Sequence, residues 1–268
     1  MTTICIYAHF DAQGVIKGYV RNCIANIRKE FDELIFVSSA GLASSEKDTI
    51  KDYCTAIIDA ENIGYDFYCW KKGIDSLGER LNTIRSLVLL NSSVIGPVYP
   101  LGKCLSTMAR KKVDFWGMTQ CNSGRPHLQS YFLCFSGALC ASDDFKQYWT
   151  DMAPISNRDE VINSYELNLT RHFTRRGFKK GVAFPIGLFI PAYRRIFSKN
   201  NLRTNCTLTY PASLLDAGMP FVKITLLKHN PFHVDLSGVY TRLKQIYPWE
   251  YIAELGELAP LEFNKPPI

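Results

Sequence analysis

Short apolar runs alternate with helical patterns through the first half of this 268-residue chain, and this alternation constrains the fold most strongly. The apolar runs are 3–8, 33–38, 56–59 and 86–90, and segments with apolar residues at helical spacing lie at 19–30, 46–53 and 75–81. Strands that alternate with helices form βα units around a largely parallel sheet. The sequence therefore predicts a doubly wound α/β domain whose ligand lies beyond the carboxyl ends of the strands.

The second half of the chain is less regular. Further strands are predicted at 114–118 and 130–135, and helices at 142–150 and 158–176. Prolines punctuate the sequence after residue 178, which favours short helices over long ones. We therefore expect one domain at 1–177 and a C-terminal extension or subdomain at 178–268 that completes the cleft.

Composition narrows the cellular setting. No apolar run reaches the roughly 18–20 residues of a membrane helix, and the first residues lack the pattern of a signal peptide. The chain has 9 cysteines, an odd number, and none is arranged as a CxxC pair, which fits a reducing compartment. We expect a soluble cytoplasmic protein, which could act at the inner face of the cell membrane.

The formal net charge is +6, with basic residues gathered in short clusters. Such clusters are usually solvated faces, but they also suit phosphorylated substrates or an anionic membrane surface. They form no stripe interleaved with aromatic residues and match no nucleic-acid-binding motif. Nucleic acid is therefore not an expected partner, whereas peripheral membrane contact stays open.

A turn-and-helix motif follows the third predicted strand and reads Glu61-Asn-Ile-Gly-Tyr-Asp-Phe67. A glycine in such a turn lets the backbone approach a ligand closely, and the helix N-terminus offers free N–H groups to an anion or a ribose. Asn62, Gly64 and Tyr65 are therefore candidate binding residues, and Asp66 is a candidate to hold a ribose or sugar hydroxyl. The alternative is an ordinary turn in which Asp66 only caps the helix.

The fourth predicted strand ends in small polar residues, Asn91, Ser92 and Ser93. Hard divalent cations prefer carboxylate oxygens, and this strand tip has none. We therefore do not expect tight Mg²⁺ or Mn²⁺ binding there, and no residue is assigned as a metal ligand. A simple polar turn is the competing interpretation.

An amphipathic helix is predicted across Glu166 and is expected to end at Gly177. A carboxylate at a helix N-terminus beside a substrate cleft can act as a general base, and Glu166 is our candidate for that role. The alternative is that Glu166 only caps the helix. Between this helix and the strand tip lies a group of polar and aromatic residues that could contact sugars by stacking and by hydrogen bonds: Trp116, His127, Gln129, Ser130 and Tyr131.

Taken together, these segments resemble the rhamnan synthesis protein F family of glycosyltransferases over most of residues 3–235. The resemblance covers the segments around the Asn62–Asp66 turn, the 91–97 strand tip and Tyr165-Glu166. It also covers Ala8-His-Phe-Asp11, Asp114-Phe-Trp-Gly117, His127-Leu-Gln-Ser-Tyr-Phe132 and Gly218-Met-Pro-Phe-Val-Lys223.

The resemblance implies a GT-A-like, Rossmann-like domain that binds a nucleotide sugar. In such enzymes the Asn-x-Gly turn lines the nucleoside pocket. The other matching segments complete the expected donor-binding residues, which are His9, Asp11, Asn91, Ser92, Ser93 and Lys223. It implies an inverting hexosyl transfer with Glu166 as the base, a donor such as dTDP-rhamnose and a lipid-linked oligosaccharide acceptor of a cell-wall polysaccharide or lipopolysaccharide O-antigen.

The strand tip departs from the family pattern, because members usually carry an Asp where this chain has Ser92. Without that carboxylate, a Lys or Arg and backbone N–H groups would have to neutralise the donor pyrophosphate. Two alternatives stay open: a sugar-binding or scaffold protein that has lost catalysis, and a retaining transferase of the same fold that does not need Glu166 as a base.

Overall fold

A computed structural model describes residues 1–122, 125–188 and 205–260 of the chain. The strands, in chain order, are β1 Thr3–His9, β2 Glu33–Ser38, β3 Ala56–Asp59, β4 Ser86–Asn91, β5 Val94–Ile95, β6 Phe115–Gly117, β7 Gln120–Cys121, β8 His127–Leu128, β9 Phe132–Ser136, β10 Lys180–Val182 and β11 Val222–Lys223.

Seven of these strands form one central sheet in the order β10-β6-β9-β4-β1-β2-β3. All neighbouring pairs are parallel except those of β9, which runs antiparallel to both β4 and β6. The structure thus confirms the predicted α/β class with a mostly parallel sheet. Two antiparallel ribbons, β5 with β11 and β7 with β8, lie outside it.

The helices of the first part are α1 Gly18–Ile27, α2 Ser44–Asp48, α3 Tyr65–Asp75, α4 Leu101–Ala109, α5 Gly137–Ala141, α6 Asp143–Thr150, α7 Arg158–Val161 and α8 Leu167–Arg175. The helix predicted at 75–81 is wrong. α3 ends at Asp75, and a 3₁₀ turn follows at Gly78–Asn82, because Gly78 has φ +50° and interrupts the helical conformation.

Apolar residues cover both faces of the central sheet. In β1, Cys5 and Tyr7 belong to one buried cluster, and Ile4, Ile6 and Ala8 belong to the other. Successive side chains of a strand point to opposite faces, so a strand that is buried on both faces is apolar throughout. This explains why the first apolar runs mark the strands so clearly.

The C-terminal part consists of short helices, as expected, at Cys206–Thr209, Pro211–Asp216, Ile224–His229, Ser237–Ile246 and Trp249–Ala253. Leu214, Phe221 and Leu227 share a buried cluster with Tyr7 of β1. The strand β10 lies beyond residue 177 but pairs with β6 of the central sheet. The sheet therefore extends past the predicted boundary between 177 and 178.

None of the helices in the described ranges is long and apolar enough to cross a membrane.

Candidate active site

A cavity of about 680 Å³ opens beyond the carboxyl ends of β1, β2 and β4. It is lined by Phe10, Tyr19, Ser39, Asn62, Gly64, Tyr65, Asp66, Ser92, Ser93, Ser156, Ile224 and Thr225. Parallel strands in doubly wound folds place their ligands at this edge. The turn residues and the strand tip identified from sequence therefore share one cavity.

The turn before α3 owes its shape to Gly64. Its φ is +75°, which favours glycine, and a Cβ there would come within 2.7 Å of the Cβ of Tyr68. The next residue, Tyr65, also has a positive φ, of 55°, and its ring is 45% exposed. No side chain caps this helix start. The turn thus presents backbone and an open aromatic ring to the cavity.

Asp66, in the first turn of α3, is tied to the tip of β4. Asn91 Nδ2 donates a hydrogen bond of 2.7 Å to Asp66 Oδ2. Burial raises the pKa of Asp66 to about 6, a rise that the nearby Lys223 opposes and Glu166 reinforces. Asp66 therefore titrates close to neutral pH, and it accepts a bond from another protein residue instead of only capping α3.

The side chain of Asn91 organises the strand tip. Its Oδ1 accepts hydrogen bonds from the backbone N–H of Ser93 at 3.1 Å and from Ser93 Oγ at 2.6 Å. Asn91 is 2% exposed, so it acts from behind the cavity wall, whereas Ser92 and Ser93 line the cavity. The tip is thus a closed polar turn tied to α3.

Lys223 reaches the site from the C-terminal part of the chain. The ribbon of β11 with β5 places Lys223 opposite Val94, and Lys223 Nζ donates to Ser93 Oγ at 3.2 Å. The same ammonium lies 4.5 Å from the centre of the Tyr131 ring. Burial lowers the pKa of Lys223, and the carboxylates of Glu166 and Asp66 counter that shift. A lysine therefore provides positive charge between two acidic side chains.

The strand tip does not suit a divalent cation. Asn91 Oδ1 already accepts two hydrogen bonds, and the Lys223 ammonium lies beside Ser93 Oγ. Within the described ranges, no group of three or more His, Cys, Asp or Glu residues could hold a metal ion. A second cation at this tip would meet electrostatic repulsion from Lys223, and the nearest carboxylate, that of Asp66, already accepts a hydrogen bond from Asn91.

Glu166 lies inside a continuous helical segment and not at a helix N-terminus, so that part of the prediction is wrong. The segment starts at Asn157, whose side chain accepts from the N–H groups of Asp159 and Glu160, and it passes through a π-helical turn at Ile162–Glu166 into α8. Glu166 therefore does not cap the helix. Such π turns are frequent at functional sites.

The Glu166 carboxylate faces the loop between β8 and β9. Its Oε1 accepts from the backbone N–H of Ser130 at 3.3 Å and lies 3.9 Å from His127 Nε2. The side chain is 22% exposed, so a ligand can reach it. Glu166 and Lys223 contact adjacent residues of one loop, Ser130 and Tyr131. Neither Glu166 nor Lys223 is among the residues that line the cavity beside Asp66.

Most of the predicted sugar-contacting residues have structural partners. Tyr131 is 1% exposed, and its hydroxyl is 2.8 Å from Thr119 Oγ1. The buried Gln129 accepts from the same Thr119 hydroxyl at 2.7 Å. His127 is also buried, with Nδ1 2.7 Å from the Arg125 carbonyl. These side chains stabilise the segment that Glu166 contacts, and their polar atoms are already hydrogen-bonded within the protein.

Trp116 corrects the sequence prediction most clearly. It is buried at 6% exposure and packs against Phe132, with ring centres 5.2 Å apart. Its side chain belongs to the core on one face of the sheet and does not line the cavity beside Asp66. Trp116 lines a different pocket, with Thr3 and Arg85 among its neighbours there, so it does not contact a ligand in the cavity beside Asp66.

His9 and Asp11 also lie outside the cavity lining. His9 is buried at the end of β1, with Nδ1 3.0 Å from Ser38 Oγ, and burial lowers its pKa to about 4. It is therefore a neutral partner of β2 and not a cation for a phosphate. Asp11 accepts from the N–H of Gln13 and lies 3.6 Å from the Lys17 ammonium, so it stabilises the following turn.

Sequence analysis missed several residues that line the cavity. They are Phe10, Tyr19, Ser39, Ser156, Ile224 and Thr225. Phe10 is 47% exposed, directly after β1, and its position after a buried strand was the available signal. Tyr19 lies in the first turn of α1, and its hydroxyl donates to the Ser92 carbonyl at 3.2 Å. Ser156 and Thr225 come from distant segments, and no local pattern marks them.

Two curated relatives are similar to this chain. Virulence protein VirA of Vibrio anguillarum is 29% identical over 199 residues, which are 66% of this chain and 64% of that protein. The uncharacterised protein y4gN of Sinorhizobium fredii is 27% identical over 171 residues, 62% of this chain and 45% of that protein. The chain thus spans about half to just under two thirds of the length of these relatives.

Solved structures show more distant similarity. A 4-diphosphocytidyl-2C-methyl-D-erythritol synthase of Anaerococcus prevotii aligns at 13% identity and a TM-score of 0.41, over 69% of this chain and 88% of that chain. Core-mannan synthase A of Aspergillus fumigatus aligns at 7% identity and a TM-score of 0.38, over 56% of this chain and 63% of that chain.

A family model gives the clearest assignment. The model described as rhamnan synthesis protein F matches residues 34–249, which include the turn before α3, the strand tip, Glu166 and Lys223. This match spans most of the chain and confirms the resemblance inferred from the motifs. The chain belongs to the rhamnan synthesis protein F family.

Proposed function

We propose that this chain transfers a hexose from a nucleoside-diphosphate sugar to a hydroxyl group of a polysaccharide acceptor, with inversion at the anomeric carbon. The observation that carries the proposal is a chain of contacts from Asp66 through Asn91, Ser93 and Lys223 to the Tyr131 ring. The neighbouring Ser130 binds Glu166 through its backbone N–H. A base, a cation and an open cavity at the strand ends are the parts that such a displacement needs.

The donor occupies the cavity of about 680 Å³ in this proposal. The nucleoside lies beside Asn62, Gly64 and Tyr65, where the exposed tyrosine ring and free backbone groups face the cavity. The diphosphate lies toward Ser93 and Lys223. The strand tip itself carries no carboxylate that would hold a metal ion, so the Lys223 ammonium supplies the positive charge that a diphosphate needs. Asp66 accepts a hydrogen bond from a ribose or sugar hydroxyl.

The reaction is a single displacement. Glu166 Oε1 takes the proton of the acceptor hydroxyl while that oxygen attacks the anomeric carbon. The bond from the anomeric carbon to the diphosphate oxygen breaks, and the nucleoside diphosphate leaves with the electron pair. Lys223 offsets the negative charge that develops on the leaving group. With a dTDP-β-L-rhamnose donor the new linkage is α.

The family description, rhamnan synthesis, supports rhamnose as the sugar. We propose a lipid-linked oligosaccharide of a cell-wall polysaccharide or O-antigen as the acceptor, handled at the inner face of the cell membrane. The basic residues Arg125, Arg171 and Lys180, which line a pocket beside α8, suit an acceptor that carries phosphate.

The decisive experiment compares Glu166→Gln with Glu160→Gln in a purified transfer assay with nucleotide sugars. Glu160 is an exposed acid of α7, on the same helical segment. Loss of the base is expected to lower kcat by about 10²- to 10⁴-fold, whereas the control variant keeps the wild-type rate. Undiminished turnover of Glu166→Gln would contradict the assignment.

The anomeric configuration of the product, read by NMR, tests the stereochemistry separately. An inverted product supports the single displacement, and a retained configuration overturns it in favour of a retaining transferase. A purified protein that binds nucleotide sugars but neither transfers nor hydrolyses them would instead support a sugar-binding or scaffold role.

A further inference from the structure

A second pocket lies along the face of α8 that follows Glu166. Its volume is about 410 Å³, and its charged side chains are all basic: Arg125, Arg171 and Lys180. Two threonines, Thr170 and Thr174, also line it. We refer to this site as the basic pocket. It is separate from the cavity beside Asp66, because the two share no lining residue.

Three distant segments build the basic pocket. Arg171 lies on α8, Lys180 begins the edge strand β10, and Arg125 precedes β8. Thr170 fixes their arrangement, since its Oγ1 accepts from the backbone N–H of Leu128 at 2.9 Å. The charges are thus brought together by the fold and are not a run of neighbours in sequence.

The three cations have no acidic partner in the part of the chain that the structure describes. Arg125 donates to the amide oxygen of Asn168 at 3.4 Å, and Lys180 donates to the amide oxygen of Gln120. None of the three takes part in an ion pair within the described ranges. Gathered like charges without a counter-charge repel each other, and a bound anion removes that cost.

The partial burial of Lys180 is a second indication that the basic pocket binds an anion. The side chain is half-buried, and burial lowers the pKa of its ammonium. Burial destabilises the charged form of Lys180, and no carboxylate nearby compensates for this. A bound anion would stabilise the charged ammonium. Arginines and threonine hydroxyls supply the additional donors that phosphate oxygens use.

The basic pocket begins beside the proposed base. Thr170 lies four residues after Glu166, about 6 Å along the helix, and so on the same side. Pro126, on the other wall, directly precedes His127, whose Nε2 is 3.9 Å from Glu166 Oε1. A molecule with a hydroxyl at Glu166 could therefore place a phosphate group in this pocket.

We infer that the basic pocket binds the diphosphate group of the acceptor, through Arg125, Arg171 and Lys180, while the acceptor hydroxyl lies at Glu166. This inference rests on the proposed function for the place of the acceptor. The chemistry recognised is a diphosphate, carried either by a lipid or by a soluble sugar phosphate. Donor and acceptor phosphates then occupy separate cationic sites.

The test is direct binding of two probes, inorganic pyrophosphate and a short-chain prenyl diphosphate, measured by titration calorimetry at low salt. Arg171→Gln removes an exposed cation of the basic pocket, and Arg175→Gln removes an equally exposed one from the last turn of the same helix, outside the pocket. We expect Arg171→Gln to weaken binding of the prenyl diphosphate about tenfold, as loss of one charge-assisted contact does, and Arg175→Gln to leave it unchanged.

Equal affinity of wild type and Arg171→Gln for both probes would overturn the inference. An equal loss in Arg175→Gln would do the same, because it would show a general charge effect. Weakened binding of both probes, with the prenyl diphosphate bound more tightly by wild type, supports a lipid source. Weakened binding with similar wild-type affinities supports a soluble phosphate source.

The variant Lys223→Gln distinguishes a failure of this inference from a failure of the proposed function. That variant removes the cation of the donor cavity and leaves the basic pocket unchanged. A nucleoside diphosphate should lose affinity for Lys223→Gln but not for Arg171→Gln. If Lys223→Gln has no effect on nucleotide binding while Arg171→Gln still weakens the prenyl diphosphate, the donor assignment fails and the basic pocket stands.

Discussion

The donor cavity and the basic pocket hold positive charge in opposite ways. Beside the cavity, Lys223 donates to Ser93 and interacts electrostatically with Asp66 and Glu166. In the pocket, Lys180 and Arg171 have no acidic partner among the described residues. A cation that interacts with acidic side chains stabilises the folded protein. A cluster of cations without acidic partners instead favours the binding of an anionic ligand. Stability measurements should therefore separate the two sites even before substrates are known.

Removing the cation of the donor cavity should have the largest effect on stability. Lys223→Met removes the cation that interacts with both Asp66 and Glu166, and we expect the free energy of unfolding to fall by about 3 kcal/mol at pH 8. At pH 5 the loss should be smaller, because Asp66, whose pKa is already raised to about 6, is then largely protonated. Urea unfolding at both pH values measures it. An equal loss at the two pH values would contradict the coupling.

The polar link between the strand tip and α3 should come next. Asn91→Ala removes the donor to Asp66 and the acceptor for Ser93, both supplied by a side chain that is itself buried, and should cost about 2 kcal/mol. Asn26→Ala is the control, since Asn26 forms its hydrogen bonds within the partly exposed α1. Equal losses in the two variants would show that the link to α3 has no special weight.

The raised pKa of Asp66 predicts a pH-dependent difference. Its pKa rises on folding from 3.8 to about 6, so the stabilising contribution of the protonated form is present below pH 3.8 and is lost as the pH rises through 6. Asp66→Asn removes this titration and keeps an acceptor for Asn91. Relative to wild type, the variant should gain about 1 to 2 kcal/mol between pH 4 and pH 7.

Denaturant curves across that range measure the gain. A constant difference between wild type and Asp66→Asn would show that Asp66 has an ordinary pKa in the folded protein. The groups that face Asp66 are Asn91, Lys223, Glu166 and Arg158, and none of them is altered in this comparison.

The basic pocket should show the smallest change in stability. Lys180→Gln removes a half-buried cation that has no carboxylate partner among the described residues, and we expect the free energy of unfolding to stay within about 0.5 kcal/mol of wild type. Chemical unfolding without added phosphate provides the measurement. A loss as large as that of Lys223→Met would show that Lys180 serves the fold, and the contrast between the two sites would disappear.

Sequence analysis located the strands of the central sheet well, because β1, β2 and β4 are buried on both faces and are almost wholly apolar. It also grouped the Asn62–Asp66 turn with Ser92 and Ser93, which line one cavity because both segments follow strands at the same sheet edge. The place of Glu166 in that cleft stays a prediction. The direction of a side chain was harder to predict. Trp116 lies in the core because β6 turns it toward Phe132, and residue type alone does not reveal which face is buried.

Long-range features were the least predictable. The π turn before Glu166 and the link from Asn91 to Asp66 depend on contacts between distant segments. Lys223 was expected near the donor only through the family resemblance, and its place between two acids depends on the pairing of β11 with β5. Local patterns carry no record of such pairings.

The ribbon of β5 with β11 also sets an order in time. During synthesis, every strand of the central sheet has been made once residue 182 has been added, but Lys223 is not yet present. All strands of the central sheet are therefore available for pairing before the segment that carries Lys223 exists. The contact of Lys223 with Ser93 forms only after β11 has been made and has paired with β5.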